Sequence, residues 1–151
     1  MGENLEIKIK EGLNELKFGL GMEDVKKILG NPDEKETTEE ADEQTEIWYY
    51  WEDGVIVFFD LKLDKRCICL ELENTEAFVF GKKIADLTED EAEKLFAENG
   101  YNEIGTEEEA WGEKRMSIDD AVTDIYFENG ELTAINWGVD YDDDENPLWP
   151  K

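Results

Sequence analysis

The sequence predicts an α+β protein built of tandem helix-plus-antiparallel-sheet repeats, with the helices packed on one sheet face. Three observations lead to this prediction: two short amphipathic helices, two hairpin signals, and similar segments about 67 residues apart. In a chain of 151 residues they fit a single domain of two units, approximately residues 13–78 and 79–140, followed by an acidic C-terminal tail at 140–151.

The first helix is predicted within residues 20–30. Val25, Ile28 and Leu29 form an apolar stripe with i, i+3, i+4 spacing. Gly30 is suited to a left-handed helix stop, and Pro32 prevents continuation.

The second helix is predicted to begin after Thr88 and to end near Asn99-Gly100. Thr88 and Glu91 have the spacing of a capping box, and Leu87 can pack onto Ala92 as a hydrophobic staple. Leu95 and Phe96 continue the apolar side.

The two halves of the sequence resemble each other weakly. Leu20 and its helix match Leu87 and its helix at an offset of 67 residues, and residues 57–60 match residues 125–128 at an offset of 68. Two similarities at nearly one offset indicate a tandem repeat, although the identities are few enough for chance to remain an alternative.

Alternating and β-branched runs predict the strands. Two hairpins are expected around Asp53-Gly54 and Asn129-Gly130, which favour type I′ turns. The predicted strands are residues 5–9, 47–51, 55–59, 67–72, 115–118, 122–127 and 132–139. Two acidic stretches, 33–46 and 140–145, are predicted to be mobile and to form no regular structure.

Cysteine and histidine usage argues against a cofactor or metal site. Cys67 and Cys69 are predicted to point to the same face of one strand as small hydrophobic residues, and the sequence contains no His. Asp140, Asp142 and Asp144 have the spacing that opens an EF-hand loop, but Glu145 stands where that loop requires Gly. We therefore expect no cofactor and no metal.

The net charge of about -27 is the strongest functional signal in the sequence. A small domain needs a net charge of only roughly 2 to 8 for solubility, and the excess here costs self-repulsion in the folded state. A basic protein partner, such as a toxin or hydrolase, would relieve that repulsion. The alternative is a structural or scaffold domain whose acidic surface only keeps it soluble.

Other classes of function are disfavoured. Phosphates would be repelled, so nucleic acid is not an expected partner, whereas a nucleic-acid mimic that fills a basic cleft stays open. No apolar run is long enough to span a membrane, and no targeting segment is visible, so we expect a cytoplasmic protein. Without a His base or a nucleophile or phosphate-binding motif, an enzyme is the weakest hypothesis. The sequence does not indicate an oligomeric state.

The first hairpin supplies the candidate binding site. A two-residue turn at Asp53-Gly54 would pair Trp51 with Ile56 and Tyr49 with Phe58. Both faces of this hairpin are then aromatic. Val57 is expected to face the core, because the matching face of the second hairpin is apolar, with Leu132 and Ala134 included.

The other face is predicted to be open and to bind the partner. Aromatic side chains would form its centre and carboxylates its rim. The predicted partner-binding residues are Tyr49, Trp51, Phe58, Asp60, Asp124, Tyr126 and Glu128. The alternative is that both faces are covered, the second one by another layer or a dimer mate.

The opening of the chain resembles a known fold group. Residues 16–25 followed by Ile28-Leu29-Gly30-Asn31-Pro32-Asp33 resemble the start of domains with the beta-lactamase-inhibitor-protein-like fold, a group that includes small outer-membrane assembly lipoproteins. The resemblance implies a helical element followed by antiparallel strands, once or in tandem, and a general protein-binding role. It does not carry over a lactamase target. Small acidic bacterial proteins of this kind also resemble immunity proteins that neutralise basic toxins.

Overall fold

Strands dominate the architecture of the chain. The computed structural model describes residues 5–40, 43–73, 76–108 and 112–150. Within these residues the strands are β1 (Glu6–Lys8), β2 (Gly12–Leu13), β3 (Leu16–Lys17), β4 (Glu34–Glu40), β5 (Glu43–Tyr50), β6 (Val55–Asp60), β7 (Arg66–Leu72), β8 (Phe78–Val79), β9 (Lys82–Lys83), β10 (Ile104–Glu108), β11 (Glu113–Ile118), β12 (Thr123–Glu128) and β13 (Glu131–Gly138). The helices are α1 (Met22–Leu29) and α2 (Glu89–Glu98), with short 3-10 turns at Ile84–Asp86 and Asp119–Ala121. The predicted α+β class is confirmed, with more sheet than the sequence indicated.

The strands form one large and one small sheet. The large sheet has eight antiparallel strands in the order β10-β11-β12-β13-β7-β6-β5-β4, so β7 and β13 lie at its centre. The small sheet has the order β3-β2-β1-β8-β9, in which β1 and β8 pair in parallel. The small sheet therefore joins the beginning of the chain to its middle.

One hydrophobic core unites both sheets and both helices. Val57 and Phe59 of the large sheet are fully buried in it, as the sequence predicted, together with Val25 of α1 and Phe96 of α2. The buried indole nitrogen of Trp137 donates a hydrogen bond to the carbonyl of Gly12, at 2.9 Å, and so ties the large sheet to the small one.

Gly12 is required at that junction. Its φ is +144°, and a Cβ added there would lie 1.9 Å from the backbone oxygen of Leu16. Any other residue would have to move the β2–β3 turn, because an oxygen cannot approach a side-chain carbon so closely.

Both predicted helices are present, and the ends agree with the sequence signals in all but one detail. At α2 the amide of Glu91 donates to Oγ1 of Thr88 at 3.2 Å, and the Thr88 hydroxyl donates to the Glu91 carboxylate at 3.0 Å. At α1, Gly30 has a positive φ of 83° but a ψ of -166°. Gly30 therefore ends the helix with the positive φ expected of a glycine stop, but its ψ lies outside the left-handed helical region.

The acidic stretch 33–46 was predicted as a mobile loop, and this prediction is wrong for the residues that the structure describes. Strands β4 and β5 pair there in continuous antiparallel register, from Glu34 opposite Tyr49 to Glu39 opposite Gln44. β4 is an edge strand of the large sheet, and charged residues are common on edge strands because they discourage pairing with another chain. The polar composition therefore concealed a strand.

The first hairpin turns two residues earlier than predicted. Tyr50 lies opposite Val55 and Tyr49 opposite Ile56, so the connection is a four-residue turn, 51–54, closed by a 3.3 Å hydrogen bond from the amide of Gly54 to the carbonyl of Trp51. A register shift of two residues leaves every side chain on its expected face, because side chains alternate with period two.

The second hairpin has the predicted two-residue turn. Glu128 lies opposite Glu131, and Asn129 and Gly130 both have positive φ, as a type I′ turn requires. A bulge at Tyr126/Phe127 follows, and it moves Ala134 opposite Tyr126. The prediction that Ala134 shares the core face is therefore wrong.

A second bulge separates the two cysteines. Phe58 pairs with Cys69, but Phe59 pairs with Cys67, so β7 carries one extra residue between them. Cys67 is fully buried in the core, whereas Cys69 lies on the other face of the sheet. The prediction that both cysteines point to one face is wrong because strict alternation does not hold across a bulge.

The C-terminal acidic run 140–145 contains no helix or strand, as predicted, but hydrogen bonds close it into a turn. The carboxylate of Asp142 accepts hydrogen bonds from the amides of Asp144 and Asn146, each at 2.9 Å, and Leu148 donates its amide to the carbonyl of Asp140. The sequence also missed strand β10. Among the described residues, the helices are all too short or too polar to cross a membrane.

Candidate protein-binding face

The large sheet has a second face, here called the open face, whose side chains remain partly exposed. The pairing register places Tyr49, Ile56, Glu71, Asn136 and Asp124 side by side in one row across five neighbouring strands. Ile56 is buried, with 6% of its surface exposed, and the other four are partly exposed. The row runs from an aromatic end at β5 to a polar end at β12.

Six of the seven predicted partner-binding residues lie on the open face, and the seventh, Trp51, lies beside it. Asp60 lies at the end of β6, where one of its oxygens accepts a 2.9 Å hydrogen bond from the amide of Lys62. Trp51 lies in the turn 51–54 beside the sheet. The predicted residues placed on the open face are Tyr49, Phe58, Asp60, Asp124, Tyr126 and Glu128.

An aromatic stack forms one end of the open face. The rings of Tyr49 and Trp51 have centroids 4.7 Å apart and planes inclined by 23°. The backbone amide of Trp51 donates to a carboxylate oxygen of Asp33 at 2.9 Å, which holds the turn in place. Trp51 nevertheless keeps 52% of its surface exposed. The large apolar ring of Trp51 is therefore exposed to solvent, while Asp33 holds its backbone and Tyr49 stacks on one side of the ring.

A carboxylate accepts a hydrogen bond from the tyrosine of this stack. The hydroxyl of Tyr49 donates to Oε2 of Glu36 at 2.6 Å. This hydrogen bond, followed by burial and by the negative charges of Glu36 and Glu34, raises the pKa of Tyr49 to about 12. The tyrosine therefore stays neutral and keeps donating throughout the physiological range.

Glu71 lies near the centre of the open face, and the sequence analysis missed it. Partial burial raises the pKa of the Glu71 carboxyl, while a hydrogen bond from Asn136 lowers it and the nearby charge of Glu73 raises it further. The amide nitrogen of Asn136 donates to Oε1 of Glu71 at 3.3 Å. The signal was present in the sequence as one acid within an otherwise apolar strand, Cys67-Ile68-Cys69-Leu70-Glu71-Leu72.

Cys69 belongs to the same small network. Its sulfur donates to the amide oxygen of Asn136 at 3.2 Å, and burial raises the pKa of the Cys69 thiol to about 12. The thiol is therefore protonated at neutral pH and is a poor nucleophile. Its contribution is to fix the orientation of the Asn136 amide beside Glu71.

Tyr126 occupies the other side of the centre. Burial and then the charges of Asp124 and Glu71 raise its pKa, and Arg115 opposes this increase. Arg115 lies directly opposite Tyr126 and pairs with Glu107 at 2.7 Å. The positive charge of Arg115 is thus engaged by neighbouring acids.

Like charges face each other at one end of the open face. Glu128 lies directly opposite both Glu113 on β11 and Glu131 on β13, and all three side chains are exposed. Like charges at directly opposed positions destabilise a sheet. The three carboxylates therefore repel one another, and a cation bound beside them would reduce that repulsion.

Within the described ranges, no three acidic or cysteine side chains come together as a group that could hold a metal ion. The turn at Asp142 instead uses its carboxylate to accept backbone amides.

Comparisons with known proteins give a similar fold but no family. No protein-family model matches the chain, and a search of curated proteins finds no match. An extracellular protein containing an SCP domain from Bacillus anthracis str. Ames is similar with a TM-score of 0.51 and 13% identity, over 93% of this chain and 49% of that one. A candidate beta-lactamase inhibitor protein from Streptococcus mutans is similar with a TM-score of 0.38 and 14% identity, over 79% of this chain and 88% of that one.

These similarities have different weights. The first shows a shared fold alone, and this chain spans about half the length of that protein. The second lies below the level at which two chains share a fold, so it carries no argument.

Proposed function

We propose that this chain is a non-enzymatic protein-binding module, of the inhibitor or immunity type, that neutralises a basic partner through its open face. The observation that carries the proposal is the stack of Tyr49 on the half-exposed Trp51, set among carboxylates on a partly exposed sheet face. Aromatic anchors surrounded by charged rims are typical of protein interfaces.

The residues of the open face differ in chemistry. Tyr49, Trp51, Phe58 and Tyr126 offer apolar area for the centre of an interface, and Asp60, Asp124 and Glu128 supply its acidic rim. A buried aromatic anchor contributes about 2 kcal/mol or more when measured by truncation, whereas rim charges mainly change the association rate. Glu71 adds a central carboxylate that a partner's cation would neutralise.

We also propose that the chain has the beta-lactamase-inhibitor-protein-like fold and consists of two units, residues 13–78 and 79–140. In support, each half runs through short strands, three before α1 and two before α2, then a helix and then four antiparallel strands. The large sheet is arranged symmetrically, with the last strand of each half, β7 and β13, side by side. We propose a cytoplasmic location for the protein as well.

A structural or scaffold domain is the second candidate. Acid is abundant away from the open face too, for example at the exposed Glu93 and Glu98 of α2 and in the turn around Asp143. A surface that is acidic on every side is what solubility alone would produce. The two candidates differ in whether the open face matters more than other acidic surfaces.

Association kinetics distinguish the candidates. The chain is immobilised, proteins of its native host are passed over it at about 0.1 M salt, and the retained protein is purified. We expect a cationic protein whose on-rate falls by at least about tenfold between 0.1 M and 1 M salt, because the Debye length shrinks from about 10 Å to about 3 Å. Retention of no cationic protein, or an on-rate independent of salt, would favour the scaffold.

A further inference from the structure

A cleft continues the open face beyond its polar end. It has a volume of about 320 Å³ and lies between the end of β13, the 3-10 turn at Asp119–Ala121 and the C-terminal segment. Asp124, Asn136 and Cys69 line the cleft and also belong to the open face, so the two surfaces are continuous. A protein seated on the open face would reach the cleft without a separate docking step.

The backbone is closely packed on one side of the cleft. Gly138 lines it, and a Cβ at this position would meet the carbonyl oxygen of Ile68 at 3.1 Å and Cγ1 of Val122 at 3.6 Å. Val122 itself has φ 51° and ψ 46°, a left-handed conformation that is unusual for a β-branched residue. The carbonyl of Val122 accepts a 3.0 Å hydrogen bond from the amide of Gly138, which holds this conformation.

The lining carries carboxylates, an amide oxygen and an aromatic ring, which are groups that bind cations. Asp119 and Asp124 supply carboxylates, and Asn136 supplies an amide oxygen that already accepts from the Cys69 thiol at 3.2 Å and retains a second lone pair. Tyr141, with 40% of its surface exposed, adds an aromatic ring. No Lys or Arg is among the lining residues that the structure describes. A neighbouring cleft on the other side of Tyr141, by contrast, is lined by Lys62.

We infer that this cleft takes the guanidinium group of an arginine side chain contributed by the basic partner. The inference rests on the proposed function and names the side chain that the partner inserts. A guanidinium carries five donors in a rigid plane, so it can bond Asp119, Asp124 and Asn136 together while it stacks on the ring of Tyr141. A lysine ammonium is a compact point charge and would satisfy fewer of these groups.

Small probes test the cleft without the partner. The chain labelled with ¹⁵N is titrated with N-acetyl-arginine amide, N-acetyl-lysine amide and N-acetyl-citrulline amide, and amide shifts are followed by NMR. We expect saturable shifts at Val122, Asp124 and Gly138 with the arginine probe, and binding of the lysine and citrulline probes weaker by about tenfold or more. Citrulline keeps the shape and removes the charge, whereas lysine keeps the charge and changes the shape.

Matched variants complete the test. Asp124→Asn and, as a second variant, Asp119→Asn should each weaken the arginine probe by about tenfold, whereas the exposed Asp143→Asn should change its affinity by less than about twofold. Equal binding of the arginine and lysine probes, shifts spread over surface carboxylates without saturation, or an equal effect of Asp143→Asn would overturn the inference. Any of these results would leave the proposed function standing, because that function depends on a salt-sensitive protein complex. A partner that binds while the arginine probe does not would reject the cleft alone.

Discussion

The ring of Tyr49 stacks on the indole of Trp51 at 4.7 Å, although Tyr49 belongs to a strand and Trp51 to the turn that follows it. The turn begins two residues earlier than an Asp-Gly hairpin would place it. The ring of Trp51 therefore lies beside the sheet, attached to it by the stack and by the hydrogen bond from its amide to Asp33. This arrangement presents a rigid aromatic anchor at low entropic cost, which is what a binding hot spot requires.

The ionisation of Tyr49 should depend on Glu36. Tyr49 should titrate at a pKa of about 12 instead of its ordinary value of 10.0, and Glu36→Gln should lower that pKa because the charged acceptor is removed. The measurement is the tyrosinate absorbance of the wild type minus that of Tyr49→Phe, recorded by stopped flow before the chain unfolds.

The sign of the linked stability effect follows from the same shift. The folded pKa of Tyr49 is raised, so its contribution to stability is complete below a pH of about 10 and is lost as the pH rises through about 12. A difference spectrum with a midpoint near 10 in the wild type would show that the hydrogen bond to Glu36 does not form.

Glu71→Gln should stabilise the isolated protein at neutral pH. The pKa of Glu71 is raised mainly by burial, so the folded state binds this proton more tightly than the unfolded state does. The free energy of unfolding therefore falls as the pH rises through the interval between the ordinary value of 4.5 and the folded pKa, and the glutamine variant avoids that loss. Thermal unfolding of both proteins across this pH range is the measurement.

The neighbouring acid provides the control for this variant. Glu73 is exposed on the same segment, so Glu73→Gln removes the same charge without removing a buried one. We expect the wild type and Glu71→Gln to converge well below pH 4.5 and Glu73→Gln to follow the wild type more closely. An equal increase in the unfolding temperature for both variants would attribute the effect to net charge alone.

Glu128→Lys should stabilise the fold and weaken partner binding. The change replaces two repulsive cross-strand pairs, with Glu113 and Glu131, by attractive ones. Such pairs contribute roughly 0.2 to 1 kcal/mol each, so for two pairs the free energy of unfolding in urea should rise by roughly 0.4 to 2 kcal/mol. Asp143→Lys alters the net charge equally in the C-terminal turn, and a matching gain there would refute the role of the glutamate row.

Periodicity could predict the faces of the central strands but not their irregularities. Val57 and Phe59 are buried and Phe58 is not, as alternation predicts. The error in the first turn did not change the predicted faces, because it shifted the register by two residues. The shared face of Cys67 and Cys69 and the core position of Ala134 were predicted wrongly, because a bulge in each strand reverses the alternation. A bulge depends on the fit between neighbouring strands and leaves no local mark in either sequence.

In the candidate site, residues that alternate along single strands could be predicted from the sequence, whereas the network around Glu71 could not. Trp51 and Tyr49 could be found because aromatic residues on both sides of a hairpin exceed what one core needs. Glu71, Asn136 and Tyr141 come together from β7, β13 and the C-terminal segment, so their proximity depends on a sheet order that no local pattern specifies.

The dissociation constant of the purified basic partner, compared between Trp51→Ala and Leu148→Ala, tests the role of the open face most directly. The two side chains have nearly equal exposed fractions, 52% and 51%, but only Trp51 stacks on an aromatic residue of the open face, so Leu148→Ala is a control for the loss of an exposed apolar side chain. Trp51→Ala should weaken binding by about 30-fold or more, corresponding to about 2 kcal/mol, with its unfolding temperature nearly unchanged, and Leu148→Ala should weaken it by less than about threefold. Wild-type affinity in Trp51→Ala, or the same loss in both variants, would contradict the assignment of the open face as the binding site.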